Sequence, residues 1–439
     1  MGRGHNRGGT GEIAEEDNMK GPVRILVVGA GGRGGGYAGY AAAHPKLAKV
    51  VGVAEPRAHY RNSLVVRHEI SYANVFRDWK DAARRPRFAD AVVIGTPDAL
   101  HTGPAVAFAR RGYHMLLEKP MAPSAAECVR IVREVKKARV VFAVGHVMRY
   151  TAYTRGLKAL VESGRIGDVV SVEHLEPVGY WHMAHSFVRG NWRNERESSF
   201  MLLAKSCHDV DWLRHIVGRK CRAVASFGSL YEFRKSRKPR AAGKAKRCLE
   251  CRFERKCPFS GIRLYMGMAK RGHYWWPLDV ITTEHSLEGV RKALQDGPYG
   301  RCVYECDNDV VDHQVVNMSF EGGVTASFTM CGLSEMSDRN TRIFGTKGQI
   351  TGDGRNLAIY DYLTEKRETI DTHATAGTIT GGHGGGDTGL MGSFVSAVLT
   401  GKRNLILSGP DETLESHLMV FAAEKARRTG KVVRLGHDA

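Results

Sequence analysis

The sequence predicts an α/β protein of two units, the first built on a parallel, doubly wound sheet. Three observations predict it. The chain has 439 residues, more than one hydrophobic core usually organises. Its first 150 residues alternate short apolar runs with helix-like stretches, the pattern of strand-helix-strand units. The first apolar run ends in a glycine-rich turn. Hydrophobic residues at 42% and charged residues at 25% exclude wholesale disorder. Nothing approaches the roughly 18 consecutive apolar residues of a membrane span, and the first 22 residues lack a signal peptide's apolar run. A cytoplasmic protein without a membrane partner is expected. Residues 1–20 read as a disordered tail, too poor in apolar side chains to offset the entropy of ordering.

Val23-Arg-Ile-Leu-Val-Val-Gly-Ala reads as a buried strand, and Gly29-Ala-Gly-Gly-Arg-Gly34 then supplies a GxGxxG at the strand-to-helix turn. Gly29 allows the tight turn, Gly31 and Gly32 let a pyrophosphate approach the backbone, Gly34 lets the helix pack closely, and Arg33 sits over the phosphates. A second strand, Val50–Ala54, ends at Glu55, 21 residues beyond Gly34, which is close to the spacing of the carboxylate that binds the adenosine ribose. Glu55 repels a 2′-phosphate and favours NAD, while Arg57 leaves NADP possible. Further strands at 89–95, 114–117 and 140–144 place Thr96-Pro97, His101 and Glu118-Lys119-Pro120 at the carboxyl edge of the sheet, where such folds bind ligands.

This order of motifs, continued by Lys205-Ser-Cys-His-Asp-Val-Asp211, resembles the Gfo/Idh/MocA family of nicotinamide-dependent oxidoreductases from Val23 to Val433. The resemblance implies a Rossmann dinucleotide-binding domain over 21–147. It implies next an α/β domain over 148–439, whose large, open, mainly antiparallel sheet forms the substrate site and the contact of a dimer or tetramer. It implies Lys119 as the lysine reaching the nicotinamide ribose and the reacting hydroxyl, His208 as the proton carrier, and Thr96, Pro97, His101 and Glu118 beside the cofactor. The chemistry agrees: an ammonium favours alkoxide-like charge, and a histidine suits proton transfer near neutrality. The family places an aspartate four positions before that histidine, where this chain has Ala204. Lys205 then becomes a catalytic candidate or, sharing a helical face with Asp209, a salt-bridged support.

Two functions follow from the resemblance. The first is NAD-dependent hydride transfer to or from a ring carbon of a sugar or cyclitol derivative. The alternative is NAD-dependent glycoside hydrolysis by transient oxidation, elimination and re-reduction. A sensor that kept the fold and lost the chemistry is a third class. For substrate contacts, Tyr180-Trp-His182-Met-Ala-His185 through Trp192-Arg193 offers aromatic faces and polar groups, with Tyr180, His182, His185 and Arg193 as the polar candidates. His383, in a run of glycines before Asp387, is a further candidate.

The formal charge is +19, and 14 Lys or Arg against Glu250 and Glu254 fall between Phe233 and Gly272. This reads as a solvated, basic, Cys-rich insertion at about 233–275; no spacing matches a nucleic-acid module, so nucleic acid is not the expected partner. Cys248, Cys251 and Cys257, with Cys302 or Cys306 as a fourth thiol, read as a structural zinc clip, since four thiolates suit that ion and leave no open catalytic position; an iron-sulfur cluster, free thiols or a redox-active pair are the alternatives. The last 50 residues read as two packing helices separated by Ser408-Gly-Pro410, the second stopped at Gly430.

Overall fold

A computed structural model describes residues 21–374 and 383–436. The tail at 1–20 and the first two glycines of the run before His383 lie outside the described residues.

The first sheet contains β1 (Val23–Val28), β2 (Ala48–Ala54), β3 (Val75–Phe76), β4 (Ala91–Ile94), β5 (His114–Leu117) and β6 (Phe142–Val144). Its order is β3-β2-β1-β4-β5-β6, and the neighbours are parallel throughout. Both faces are covered, so β1 and β4 are written as nearly unbroken aliphatic runs; in β1 only Arg24 is exposed, pairing with Asp90. The order reverses between β1 and β4, which opens a crevice at the carboxyl ends of those strands. Helix α1 (Gly32–Ala43) starts there, directly after β1.

The second sheet has nine strands: β7 (Val169–Pro177), β8 (Cys221–Ser229), β9 (His313–Phe320), β10 (Thr325–Cys331), β11 (Asn340–Gly345), β12 (Gly348–Gly352), β13 (Asn356–Asp361), β14 (Arg367–Asp371) and β15 (Val433–Arg434). The order is β14-β13-β12-β11-β7-β10-β9-β8-β15, antiparallel except where β10 runs parallel to β7. Alternation in β9 and β10 buries Gln314, Val316, Met318 and Phe320 with Ala326, Phe328 and Met330, while Asn317, Ser319, Thr325 and Ser327 face outward. One face therefore holds a core and the other meets solvent in the single chain.

Helix α2 (Cys207–Val217) packs on the buried face, with ten of its eleven residues buried and Gly218 closing it in the left-handed conformation. Two C-terminal helices return to the first unit. Leu390, Met391, Phe394, Val395 and Val398 of α3 (Gly386–Thr400) share a core with Ile25, Val27 and Tyr37. Helix α4 (Pro410–Thr429) has Pro410 at its start, Asp411 and Glu412 in its first turn, and Gly430 as its left-handed cap. It bridges the units: His417 Nε2 accepts from the backbone of Met121, and Ser416 donates to Asp211. No described helix is long and apolar enough to cross a membrane.

The basic insertion is better packed than its charge suggests. Its chain continues to Tyr299, and Tyr265, Met268, Leu278, Val290, Leu294 and Tyr299 form a small apolar core of their own.

Candidate active site

The glycine turn is shaped by close backbone approach. A Cβ on Gly34 would lie 1.9 Å from the Gly29 carbonyl oxygen, and Gly29, at φ +84°, has the Gly95 backbone 2.7 Å from where its own Cβ would be. The N-terminus of α1 has no side-chain cap and no acidic first-turn residue, so its free N–H groups face the crevice as an anion site. Glu55 is buried at the end of β2 and accepts from the Ala30 N–H at 2.9 Å and from Arg57 at 2.7 and 3.0 Å. Burial opposes its ionisation, but the hydrogen bonds from Arg57 and Ala30 outweigh it and hold the carboxyl below its ordinary range. This cradle fits a dinucleotide. Arg33, expected over the phosphates, is held instead by Glu118 at 2.6 Å and Asp387 at 2.7 Å.

Glu118 is fully engaged, accepting from Arg33, Tyr37 and the Lys119 backbone N–H. Lys119 extends in the opposite direction and donates its Nζ to the Ala204 carbonyl at 2.9 Å. The chain thus presents the backbone of Ala204 to Lys119 at the position where the family carries a carboxylate. His208, four residues on and past a break in the helix, is buried, and its Nδ1 has no hydrogen-bond partner among the described residues. Burial first, then the charge of Lys119 and the neighbouring His146 and His383 rings, drive its pKa well below the ordinary value. The site therefore combines an ammonium that donates with an imidazole kept neutral and able to accept.

Two sequence profiles match this architecture: one described as the NAD-binding Rossmann fold of an oxidoreductase family, over residues 23–146, and one as its C-terminal alpha/beta domain, over residues 158–435. The chain belongs to the Gfo/Idh/MocA oxidoreductase family. It is 24% identical to YteT, an oxidoreductase of Bacillus subtilis (strain 168), over 71% of this chain and 73% of that one. A stretch of 148 residues is 30% identical to 2,7-anhydro-N-acetylneuraminate hydratase of Escherichia coli (strain K12), covering 34% of this chain and only 39% of that enzyme. Levoglucosan dehydrogenase, solved with NADH and levoglucosan, shares the fold with a TM-score of 0.69 at 18% identity, over 95% of this chain and 100% of that one.

As a Gfo/Idh/MocA protein the chain is an NAD(P)-linked oxidoreductase, and its departures from the family pattern become specific. Lys205 does not pair with Asp209. The helix breaks at Lys205–Ser206 before α2 begins, so the four-residue spacing does not set a common face. Lys205 binds Glu176 at 3.0 Å instead; Glu176 also holds Arg339, which reaches Asp209 at 2.5 Å, and Asp209 meets His174 at 3.2 Å. Lys205, Glu176, Arg339, Asp209 and His174 thus form one linked set of polar contacts.

The other candidates fall into two groups. His101 is buried with both ring nitrogens engaged by the carbonyls of Thr96 and Pro120, so it pins the two loops together. His383 pairs with Asp387 at 3.2 Å, and its ring lies 6.2 Å from that of His208, which joins it to the site. His182 feels the charges of Lys205 and Lys119 and packs edge-on to Trp276 at 5.1 Å. His185 faces the insertion, bonded to Tyr265 at 2.8 Å and stacked on Tyr299. Arg193 is held by Glu197 and Asp307, and half-exposed Tyr180 lies beside Phe259. The sequence reading missed three groups. Asp98, two residues after Thr96, is buried within electrostatic reach of Lys119 and accepts from Trp192 at 3.3 Å; its place at the end of β4 is the signal that pointed to it. His146 lies 5.7 Å from His208, and Trp276 comes from the insertion.

Burial holds His146 and His185 down to about 3 and His182 to about 2, with neighbouring positive charges adding to the effect. The unfolded chain binds protons that these rings refuse, so stability is full above about pH 6.5 and declines as the pH falls toward the folded values. Each ring contributes up to about 1.4 kcal/mol per pH unit in that window. The urea midpoint is expected to drop clearly between about pH 7 and pH 5. A flat midpoint over that range contradicts the neutral, buried state of these histidines.

Proposed function

We propose that the protein is an NAD(H)-dependent oxidoreductase that moves hydride to or from a ring carbon bearing a hydroxyl or ketone in a sugar or cyclitol derivative. The observation that carries this is the combination of Lys119, whose ammonium donates to the Ala204 carbonyl, with the neutral ring of His208, whose Nδ1 has no hydrogen-bond partner among the described residues. When bound, a nicotinamide supplies the hydride donor or acceptor. Lys119 stabilises the negative charge that develops on the substrate oxygen, and His208 takes or returns its proton. Trp181 and Trp276, 5.4 Å apart, give an aromatic wall beside His182 for the C–H face of a pyranose. The name of levoglucosan dehydrogenase, a structural neighbour, points to the same substrate class.

The test is a panel of pyranoses, anhydrosugars and cyclitols with stoichiometric NAD, read as NADH formation. A second reading, elimination with the dinucleotide recycled, is favoured by the hydratase among the relatives. It predicts substrate consumption with no net NADH. Consumption of none of the panel, with dinucleotide bound, leaves a binding protein in place of both.

NAD is favoured over NADP because Glu55 occupies the end of β2 with its carboxylate ionised and tied to Ala30. Replacing Glu55 with Ser removes the repulsion and frees Arg57 for a 2′-phosphate. The ratio of kcat/KM for NADP to that for NAD is expected to rise at least about tenfold, the scale of one charge-assisted contact. An unchanged ratio removes Glu55 from the selection. The outward face of the second sheet, with Asn317, Thr325, Ser327 and exposed Phe227, is assigned as the contact of a homo-oligomer, which light scattering on the purified chain tests.

A further inference from the structure

Cys248, Cys251, Cys257 and Cys302 line one small pocket together with Arg189, Glu254 and Ser260. The fifth thiol weighed from the sequence, Cys306, lies outside it and donates to the Cys302 carbonyl at 3.3 Å. Two backbone contacts bring the remote ligand to the others. Arg247 bridges Arg301, and the Cys302 N–H donates to the Lys246 carbonyl at 2.8 Å. No disulfide joins any of the four. As the side chains are placed, no set of three or more His, Cys, Asp or Glu among the described residues is arranged to hold a metal.

The second observation is Arg189. Its guanidinium is 2% exposed and points into this pocket, with Nη2 3.5 Å from the Cys248 sulfur. Its other partners are the Arg301 and Phe259 carbonyls at 2.7 and 2.8 Å, and no carboxylate pairs with it among the described residues. Glu254, a carboxylate on the same lining, accepts from Ser260 and forms no ion pair with Arg189 among the described residues. A buried guanidinium is costly unless negative charge lies close to it, and a metal-bound thiolate set at this pocket would place that charge beside Arg189. The Gly261 N–H, 3.5 Å from the same sulfur, is a second donor that a thiolate accepts better than a thiol.

We propose that Cys248, Cys251, Cys257 and Cys302 form a structural tetrathiolate zinc site, with buried Arg189 as its counter-cation. Binding replaces four S–H protons, released to solvent, with four Zn–S bonds, and the resulting double negative charge is partly balanced by Arg189. The thiol side chains close by turning toward the ion on loops that are already adjacent. The consequence reaches the substrate side. Arg189 ends the π-helical turn Met183–Arg189, which follows Tyr180–His182, and the insertion that the ion fastens carries Trp276. Metal binding thus fixes the aromatic wall beside His182.

The experiment measures metal in the full chain purified without chelator. About one zinc per chain is expected, with near-complete loss in Cys248→Ser and Cys302→Ser and full retention in Cys306→Ser. Cobalt(II) added to the chelated wild-type chain gives the absorption of a tetrahedral thiolate site, a readout that does not depend on the variants folding. Absence of zinc together with no such cobalt spectrum overturns the proposal. So does retention of the ion by Cys302→Ser with loss in Cys306→Ser, or a disulfide among the four found by mass spectrometry of the alkylated chain.

Discussion

Substituting Lys119 by Met lowers kcat for the sugar reaction by about 10²–10³-fold, the scale of one lost donor to a developing oxyanion. Met keeps the length and the apolar stem, so the packing between β5 and Pro120 survives and the loss reports on charge. The Ala204 carbonyl loses its donor, yet it lies at the end of a short helix where solvent reaches the lysine, so the stability change is small beside the rate change. Both kcat and kcat/KM fall together, because the interaction strengthens only as charge develops on oxygen. The assay is steady-state oxidation at saturating NAD, with dinucleotide affinity measured separately by fluorescence. A variant that retains a third of the wild-type rate while binding dinucleotide normally removes Lys119 from the chemistry.

Asp211→Ala is the largest stability loss expected in the chain, about 3–5 kcal/mol. Arg149 and Asp211 are both buried to 1% exposure or less and form a two-pronged pair at 2.7 and 2.8 Å, with Ser416 donating to the same carboxylate. Burial opposes the ionised Asp211, but the charge and hydrogen bonds of Arg149, with the Ser416 hydroxyl, outweigh it and hold its pKa far below the ordinary carboxylate value. Removing the carboxylate leaves the guanidinium with Glu412 and the Leu407 carbonyl on one edge and nothing on the other. The double variant Arg149→Met, Asp211→Ala recovers part of the loss, since no buried charge remains. Urea denaturation of both variants measures this; a single variant within 1 kcal/mol of wild type would show the pair to be solvated.

Much of the first unit was legible because a sheet buried on both faces writes itself as continuous apolar runs, and a backbone that must pass within contact distance of another demands glycine at fixed places. Gly29 and Gly34 are such cases, set by local geometry within one strand-turn-helix, and Glu55 was found from its spacing to them. The Lys205–Asp209 pair was misread because periodic spacing assumes an unbroken helix, and the turn at Ser206 redirects Lys205 to Glu176 on β7. Trp276 and Arg189 carried no readable signal: their meaning lies in partners brought from distant segments, one against His182 and the other against Cys248. The charge of the insertion masked the apolar residues at 265–299 that pack it, since most of that core lies beyond the basic run that drew attention.

The return of α3 to the core of the first sheet has a consequence for how the protein is made. Val144 ends the last strand of that sheet, but Phe394 and Val395, which seal one of its faces, leave the ribosome only after eight of the nine strands of the second sheet have been synthesised. During that interval the core around Ile25, Val27 and Leu116 is covered by Tyr37, Ala38 and Leu64 but lacks the C-terminal helix that completes it. Completion of the first unit therefore waits on translation of the far end of the message.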